Sequence, residues 1–238
     1  MGRTCILLTC LCVVACRASR PSELPRDEAW VVAVSSCRLP EYMQWYTRFA
    51  HHTWIDAKRG DEDAWVRVEV MGKTTGGTLK RVSADAVRAD RRWGREVALH
   101  DVCTGERARS IALQLDAAVD ALGPAYATGY RAWPGPNSNT FVRDAAREAG
   151  GFGVTFDHNA LGKDDYGWFG LGLASSRSGV HVDTRGLGAT LAAREGVELH
   201  VLGLTFGLQV WPPRLELPLL PELPWSQAPH ESTAVIIR

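Results

Sequence analysis

Between Trp133 and Pro136 two prolines bracket a glycine, and the next three residues, Asn137, Ser138 and Asn139, are all types that open helices. No other stretch restricts the chain so narrowly. Each proline fixes φ, lacks an N–H and pushes its predecessor towards an extended conformation, so neither a helix nor a central strand runs through this loop. Phe141, Val142, Ala145, Ala146 and Ala149 then recur at helical spacing until Gly150-Gly151 ends the run. The spacing predicts a short helix led by a polar triplet. Its first turn presents unpaired N–H groups and the positive end of a dipole, a setting that favours an anion or a polarised hydroxyl. Ser138 is therefore a candidate nucleophile, and equally an ordinary capping residue.

Upstream, the pattern is that of strands. Trp30 to Val34 is β-branched and apolar, and Arg48 to Lys58 reads as a second strand. On that strand Ala50, His52 and Trp54 share one face, while Phe49, His51, Thr53 and Ile55 share the other. Trp65 to Met71 alternates cleanly, with Val66, Val68 and Val70 inward and Arg67 and Glu69 outward. A helical turn is expected at Tyr42 to Tyr46, and Leu79 to Trp93 is too charged and irregular to assign. Glu96 to Val102 is a further strand, followed by a helix from Glu106 to Leu122 on the stripe Ile111, Leu115, Val119 and Leu122, stopped by Gly123-Pro124. Beyond the Ser138 helix the chain turns glycine-rich. Gly179 to Thr184 is a short strand, and Ala189 to Arg194 with Val197 to Val210 forms a hairpin turning at Glu195-Gly196. Gly203 and Gly207 mark a bulge or a close backbone approach in its second arm. The fold class expected is α+β, an antiparallel sheet packed with two main helices.

The ends read as address and tail. Arg3 precedes an apolar run from Thr4 to Ala15 that is right for a signal h-region and too short to span a bilayer. Val13-Val14-Ala15-Cys16 is similar to a bacterial lipobox, which makes Cys16 the expected lipidation site and new amino terminus; an ordinary cleaved signal or a retained anchor is the alternative. The expected organisation is a signal peptide over 1–15, a tether over 16–28, one globular domain over 29–212 and a proline-rich extended tail over 213–238. Four of the six cysteines fall in the leader. That leaves Cys37 and Cys103 as a candidate disulfide in an oxidising compartment, or as two separate thiols. Lys plus Arg and Asp plus Glu total 27 each, and this balance argues against a nucleic acid partner.

Among candidate sites, the seven histidines include no His-x-x-x-His and the cysteines no paired Cys-x-x-Cys, so no metal site is read, and no cofactor either. A serine at a helix start needs a base, and a strand histidine can supply one. His52 is the first choice and His51 the second. Asn137 and Asn139, with Trp133 beside them, are the expected binding residues of the loop.

The run Trp-Pro-Gly-Pro-Asn-Ser-Asn-Thr-Phe, from Trp133 to Phe141, resembles an uncharacterised bacterial family of unknown function. Supporting stretches include His52 to Lys58, Arg92 to Gly94, Gly162 to Asp164 and Ala193 to Leu204. More distantly, a histidine-bearing strand followed by a helix opening at Asn-Ser-Asn resembles the circularly permuted papain-like proteins, including the NlpC/P60 and lecithin-retinol acyltransferase-like groups. That resemblance implies a nucleophile at Ser138 and a base at His52, with serine standing where those families carry cysteine. A serine hydroxyl ionises far less readily than a thiol, so it depends on its base and on oxyanion donors. The expected function is an exported, lipid-anchored protein of the cell envelope, a non-catalytic binding module on a papain-like scaffold. Its expected partners are the membrane, through the lipid anchor, and peptidoglycan or lipid. The alternative is a serine-dependent hydrolase or acyltransferase acting on an envelope amide or ester.

Overall fold

The computed structural model describes residues 23–25, 27–43, 48–60, 64–72, 77–164, 167–184, 186–210, 213–220 and 223–224. The expected signal, Cys16, most of the tether and the last fourteen residues, 225–238, lie outside them, as do residues 44–46 of the expected helical turn.

Two antiparallel sheets carry the fold. The first has the order β4-β3-β2-β1-β7, from β1 (Trp30–Arg38), β2 (His51–Arg59), β3 (Trp65–Glu69), β4 (Thr78–Val82) and β7 (Ala98–Thr104). Between β4 and β7 come α1 (Ala84–Arg88) and a small hairpin of β5 (Arg91–Arg92) and β6 (Arg95–Glu96). Two helices follow, α2 (Gly105–Gly129) and α3 (Ser138–Glu148). The second sheet is a meander of β8 (Phe169–Leu173), β9 (Gly179–Thr184), β10 (Leu187–Ala192), β11 (Gly196–Val201), β12 (Leu204–Gln209), β13 (Arg214–Glu216) and β14 (Leu223–Pro224), each paired with its sequence neighbour. The class is α+β, as the sequence leads one to expect.

Strand alternation places the core. Val32, Val34, Ile55, Ala57, Val66 and Val68 share one face of the first sheet, where they pack against Ile111, Leu115 and Val119 of α2 and Phe141, Val142 and Ala145 of α3. Burying the Val, Ile, Leu and Phe side chains among these at roughly 1.5–3 kcal/mol each is what holds the helices to the sheet. The opposite face is also covered, by α1 and the β5–β6 hairpin, which is why Arg67 and Glu69 are buried rather than solvated as expected. There Arg67 donates from Nε and Nη2 to the two oxygens of Asp56 at 2.7 and 2.8 Å.

Three further expectations need correction. Helix α2 does not stop at Pro124 but runs on to Gly129. The cost of an interior proline, ~3 kcal/mol, is offset because the extra turns bury Tyr126, whose hydroxyl donates to Asp144 at 2.8 Å and whose ring meets Phe141 edge-on at 5.0 Å. The second arm of the late hairpin is two strands, since Leu202 and Gly203, both at positive φ, turn the chain between β11 and β12. The proline-rich tail begins as sheet, with β13 paired to β12.

Cys37 and Cys103 are free thiols. On adjacent strands Cys103 lies opposite Val32, while Cys37 lies five positions further along β1 on the other face. At ~3.3 Å per residue that separation far exceeds the reach of a disulfide.

Candidate functional site

The Asn-Ser-Asn triplet begins α3 as expected, but with its roles distributed differently. Asn137 is the N-cap: its side-chain oxygen accepts from the N–H groups of Asn139 (2.9 Å) and Thr140 (3.3 Å), and its amide donates to the carbonyls of Ala132 and Leu161. Asn139 faces the edge of β2 beyond the end of β3. There its side-chain oxygen accepts from Thr53 N–H at 3.1 Å, and its amide donates to His51 C=O at 3.1 Å and Leu161 C=O at 3.0 Å. In effect one amide side chain stands in for a missing strand. Both asparagines are buried, and their hydrogen-bonding groups are spent within the fold. Trp133, by contrast, stays half exposed on the loop.

Ser138 is the first residue of α3, half-buried, and its hydroxyl interacts with the Tyr130 phenol. His52 does not face it. Its strand position shares a face with Trp54 and Asp56, turned away from α2 and α3, and its Nε2 lies 2.9 Å from Glu69 Oε2. The imidazole stacks on Trp54 and tilts against Trp93. Glu69 also receives Arg92 Nη2 at 3.0 Å and Lys80 Nζ at 2.7 Å. Burial lowers the His52 pKa, against the raising effect of Glu69. Burial would raise Glu69, but His52 and Arg92 hold it well below the carboxylate range. This is an internal ion network. His51 is on the helix-facing side, with Nδ1 3.4 Å from both Ser36 Oγ and Asp157 Oδ2. Neither histidine has the Ser138 hydroxyl as a hydrogen-bond partner among these contacts, so the expected His52–Ser138 pair is not assembled.

A different group of side chains converges on the second sheet, whose alternation is inverted. In β9 Val180 and Val182 face water while His181 and Asp183 are buried; in β11 Val197 and Leu199 face water while Glu198 and His200 are buried. The registers put His181 opposite Thr190 and Thr190 opposite Glu198, in one inward row, and Asp183, Gly188, His200 and Thr205 in the next. The segment after α3 delivers Lys163 and Asp164 onto this face. Its approach requires Gly162, at φ +76°, because a Cβ there would strike the Pro134 carbonyl.

The resulting geometry is compact. Asp164 Oδ2 is 3.0 Å from His200 Nδ1 and 2.6 Å from Lys163 Nζ, and Lys163 also lies 3.2 Å from both oxygens of Glu198. One hydroxyl, Thr190 Oγ1, bridges His181 Nδ1 and His200 Nε2 at 2.8 Å each. One ligand-type atom from each of Asp164, His181 and His200 lies within 4.8 Å of the others. Asp164 and His200 open onto a cavity of about 380 Å³ walled by the Pro134 to Pro136 loop, Asp183 and Gly188, with Trp168 among its lining residues.

The electrostatics set the protonation states. Burial lowers His181 to about 4 and His200 to about 3, so both imidazoles are neutral at pH 7. Burial would raise Asp164, but the Lys163 charge and then His200 overcome it and lower its pKa to about 2. Burial raises Glu198 to about 8, opposed by Lys163 and reinforced by Asp164, Glu216 and Glu195, a sign that acidic groups outnumber cations here. Two neutral imidazoles, each with one nitrogen tied to the Thr190 hydroxyl, and one carboxylate form an N₂O donor set.

Counting histidine motifs along one helix or strand could not find this group, because its members come from a loop and two strands. The available signal was the alternation of Gly179 to Thr184 and of Val197 to Val201, where the residues between aliphatics are histidine and acid. Searches of curated proteins and of solved structures find no match to the chain. Residues 31–166 match the family described as "Protein of unknown function (DUF3750)", a span that holds β1 to α3 and Asp164 and stops before the two histidines of the second sheet, and the chain belongs to that family.

Proposed function

We propose that this chain is an exported, lipid-anchored binding module of the cell envelope, on a scaffold of permuted papain type, and that its ligand is a divalent transition-metal ion held by Asp164, His181 and His200. The observation that carries the reading is the convergence of those three donors within 4.8 Å of one another, two of them, Asp164 and His200, at the wall of a cavity. Ligand atoms of a tetrahedral ion bound at about 2.0–2.1 Å stand roughly 3.3 Å apart, so a small inward movement completes the set. Thr190 supports it as the outer partner of both rings: when its oxygen accepts from His181 Nδ1–H and His200 Nε2–H, His181 Nε2 carries a lone pair, and His200 Nδ1 does so once an ion takes the place of its contact with Asp164 Oδ2. Serine-dependent hydrolysis at Ser138 has less support, because its hydroxyl meets Tyr130 and His52 is engaged by Glu69.

Untagged full-length chain, freed of metal with a chelator, is titrated with Zn²⁺ or Co²⁺ alone, and binding is followed by calorimetry and by the visible absorption of Co²⁺. One equivalent with tetrahedral Co²⁺ bands is expected, weakened at least tenfold in His200→Ala and in Asp164→Asn. Absence of binding by a folded wild-type chain, or equal binding by both variants, would refute the reading.

A further inference from the structure

The outward side of the β8–β13 sheet is the counterpart of its polar interior. Phe169, Leu171, Val182, Leu191, Leu199 and Phe206 are all exposed, and the registers place Leu171 beside Val182 and Leu199 beside Phe206 in continuous rows across the strands. From β8 to β12 the outward positions carry no charged side chain, and Thr184 is the one polar residue among them. Exposures of about 40–75% on side chains of this size leave on the order of 1,200 Å² of contiguous apolar surface. Monomeric proteins keep such patches to a few hundred Å².

We propose that this face is a dimer interface, covered by the same face of a second copy of this chain. The size is what a stable pair needs, since a standard interface takes about 800 Å² from each partner. The absence of charge suits self-association, because a two-fold axis sets the patch against itself, so a charge at the axis would meet its like and one elsewhere on the patch would be buried against aliphatic side chains. The shape suits it as well: a sheet with one aliphatic face stacks on another at about 10 Å, its side chains interdigitating as in a sandwich. The second copy covers the outward face, and the polar cluster stays on the other side of each sheet. The inference goes beyond the metal reading and does not depend on it.

The test places one reactive cysteine at Leu199, in the middle strand of the sheet, and in a separate chain at Leu113, exposed on α2, both in a full-length chain whose Cys5, Cys10, Cys12, Cys16 and Cys103 are replaced by serine and whose remaining Cys37 is buried. A bis-maleimide of about 10 Å span is expected to couple the Leu199→Cys chain into a species of twice the chain mass and to leave the Leu113→Cys chain single. Adding Leu191→Lys should reduce the coupling from Leu199→Cys at least tenfold. The proposal is overturned if Leu199→Cys stays single, or if Leu113→Cys couples equally well, which marks non-specific association. It is also overturned if the chain stays single while floating with phosphatidylcholine vesicles in a manner lost on Leu191→Lys, which assigns the face to lipid. The cysteine comparison needs no destabilising variant, so a lysine chain that misfolds does not remove the test.

Discussion

Asn139→Ala removes the side chain that fastens α3 to β2, and its cost follows from what is left behind. Three hydrogen bonds go: acceptance from Thr53 N–H, and donation to the carbonyls of His51 and Leu161. The Leu161 carbonyl keeps Asn137 as a donor at 2.8 Å, so two backbone groups, Thr53 N–H and His51 C=O, lose this partner. At about 1–3 kcal/mol for each buried group so stranded, the substitution should cost about 3 kcal/mol. For a domain of this size that corresponds to a melting shift of about 10 °C. Ser138→Ala is the internal comparison. It loses one interaction with Tyr130 at a half-buried position, and at about 0.5–1.5 kcal/mol should shift the melt by a few degrees at most. Urea unfolding of the two variants beside wild type gives both numbers, and amide exchange at Thr53 reports the specific bond. If Asn139→Ala unfolds within about 0.5 kcal/mol of wild type, or Ser138→Ala costs as much as Asn139→Ala, the account of the triplet as a structural clamp is wrong.

Acid should unfold the protein through the His52–Glu69 network. His52 is held below its unfolded pKa of ~6.5, so the unfolded chain gains a proton first as pH falls and stability begins to drop there; Glu69, also depressed, adds a steeper loss below ~4.3 as its unfolded form takes up a proton. Urea midpoints measured from pH 8 to pH 3.5 should be flat and then decline in that order, and Glu69→Gln should blunt the lower part while costing about 3–5 kcal/mol at pH 7; an unchanged slope below pH 4.3 in that variant would contradict the assignment. At the other end of the chain, Val13-Val14-Ala15-Cys16 predicts a lipid-bearing amino terminus. Cells fed a labelled fatty acid should mark the wild-type chain and not Cys16→Ser, and equal labelling of the two would exclude acylation at that cysteine.

How much of this was legible in the chain depends on the range of the signal. The strands from Trp30 to Val70 and the α3 stripe are local patterns, and the structure follows them. Pro124 was misleading because the gain that carries α2 past it comes from Tyr126 meeting Phe141 and Asp144, contacts to another helix. Arg67 and Glu69 read as outward because period-two alternation reports only that a side chain differs from its neighbours. It does not say whether a further layer lies outside, as α1 and the β5–β6 hairpin do here. The same limit hid the three-residue donor set. His181 and His200 look like isolated polar residues in aliphatic strands until the register places them on adjacent inward rows with Thr190 between them.

The inversion of the second sheet ties the two proposals together through one constraint. In a strand with a period of two, every residue that turns His181, Thr190, Glu198 or His200 inward turns an aliphatic neighbour outward, and a one-residue slip would exchange the faces completely. Left alone, such a sheet would slip, because burying Val180, Val182, Val197 and Leu199 is favoured and burying acid and imidazole is not. The observed register is held from inside by specific bonds: Asp164 on His200, Lys163 across Glu198, and the Thr190 hydroxyl between two rings. Each of these is satisfied only in this register. An ion at the three donors would add to the same side of the balance, and a second copy would remove its counterweight by burying the aliphatic face without a slip. The polar cluster thus fixes which way the strands face, and the apolar surface is the consequence that an interface answers.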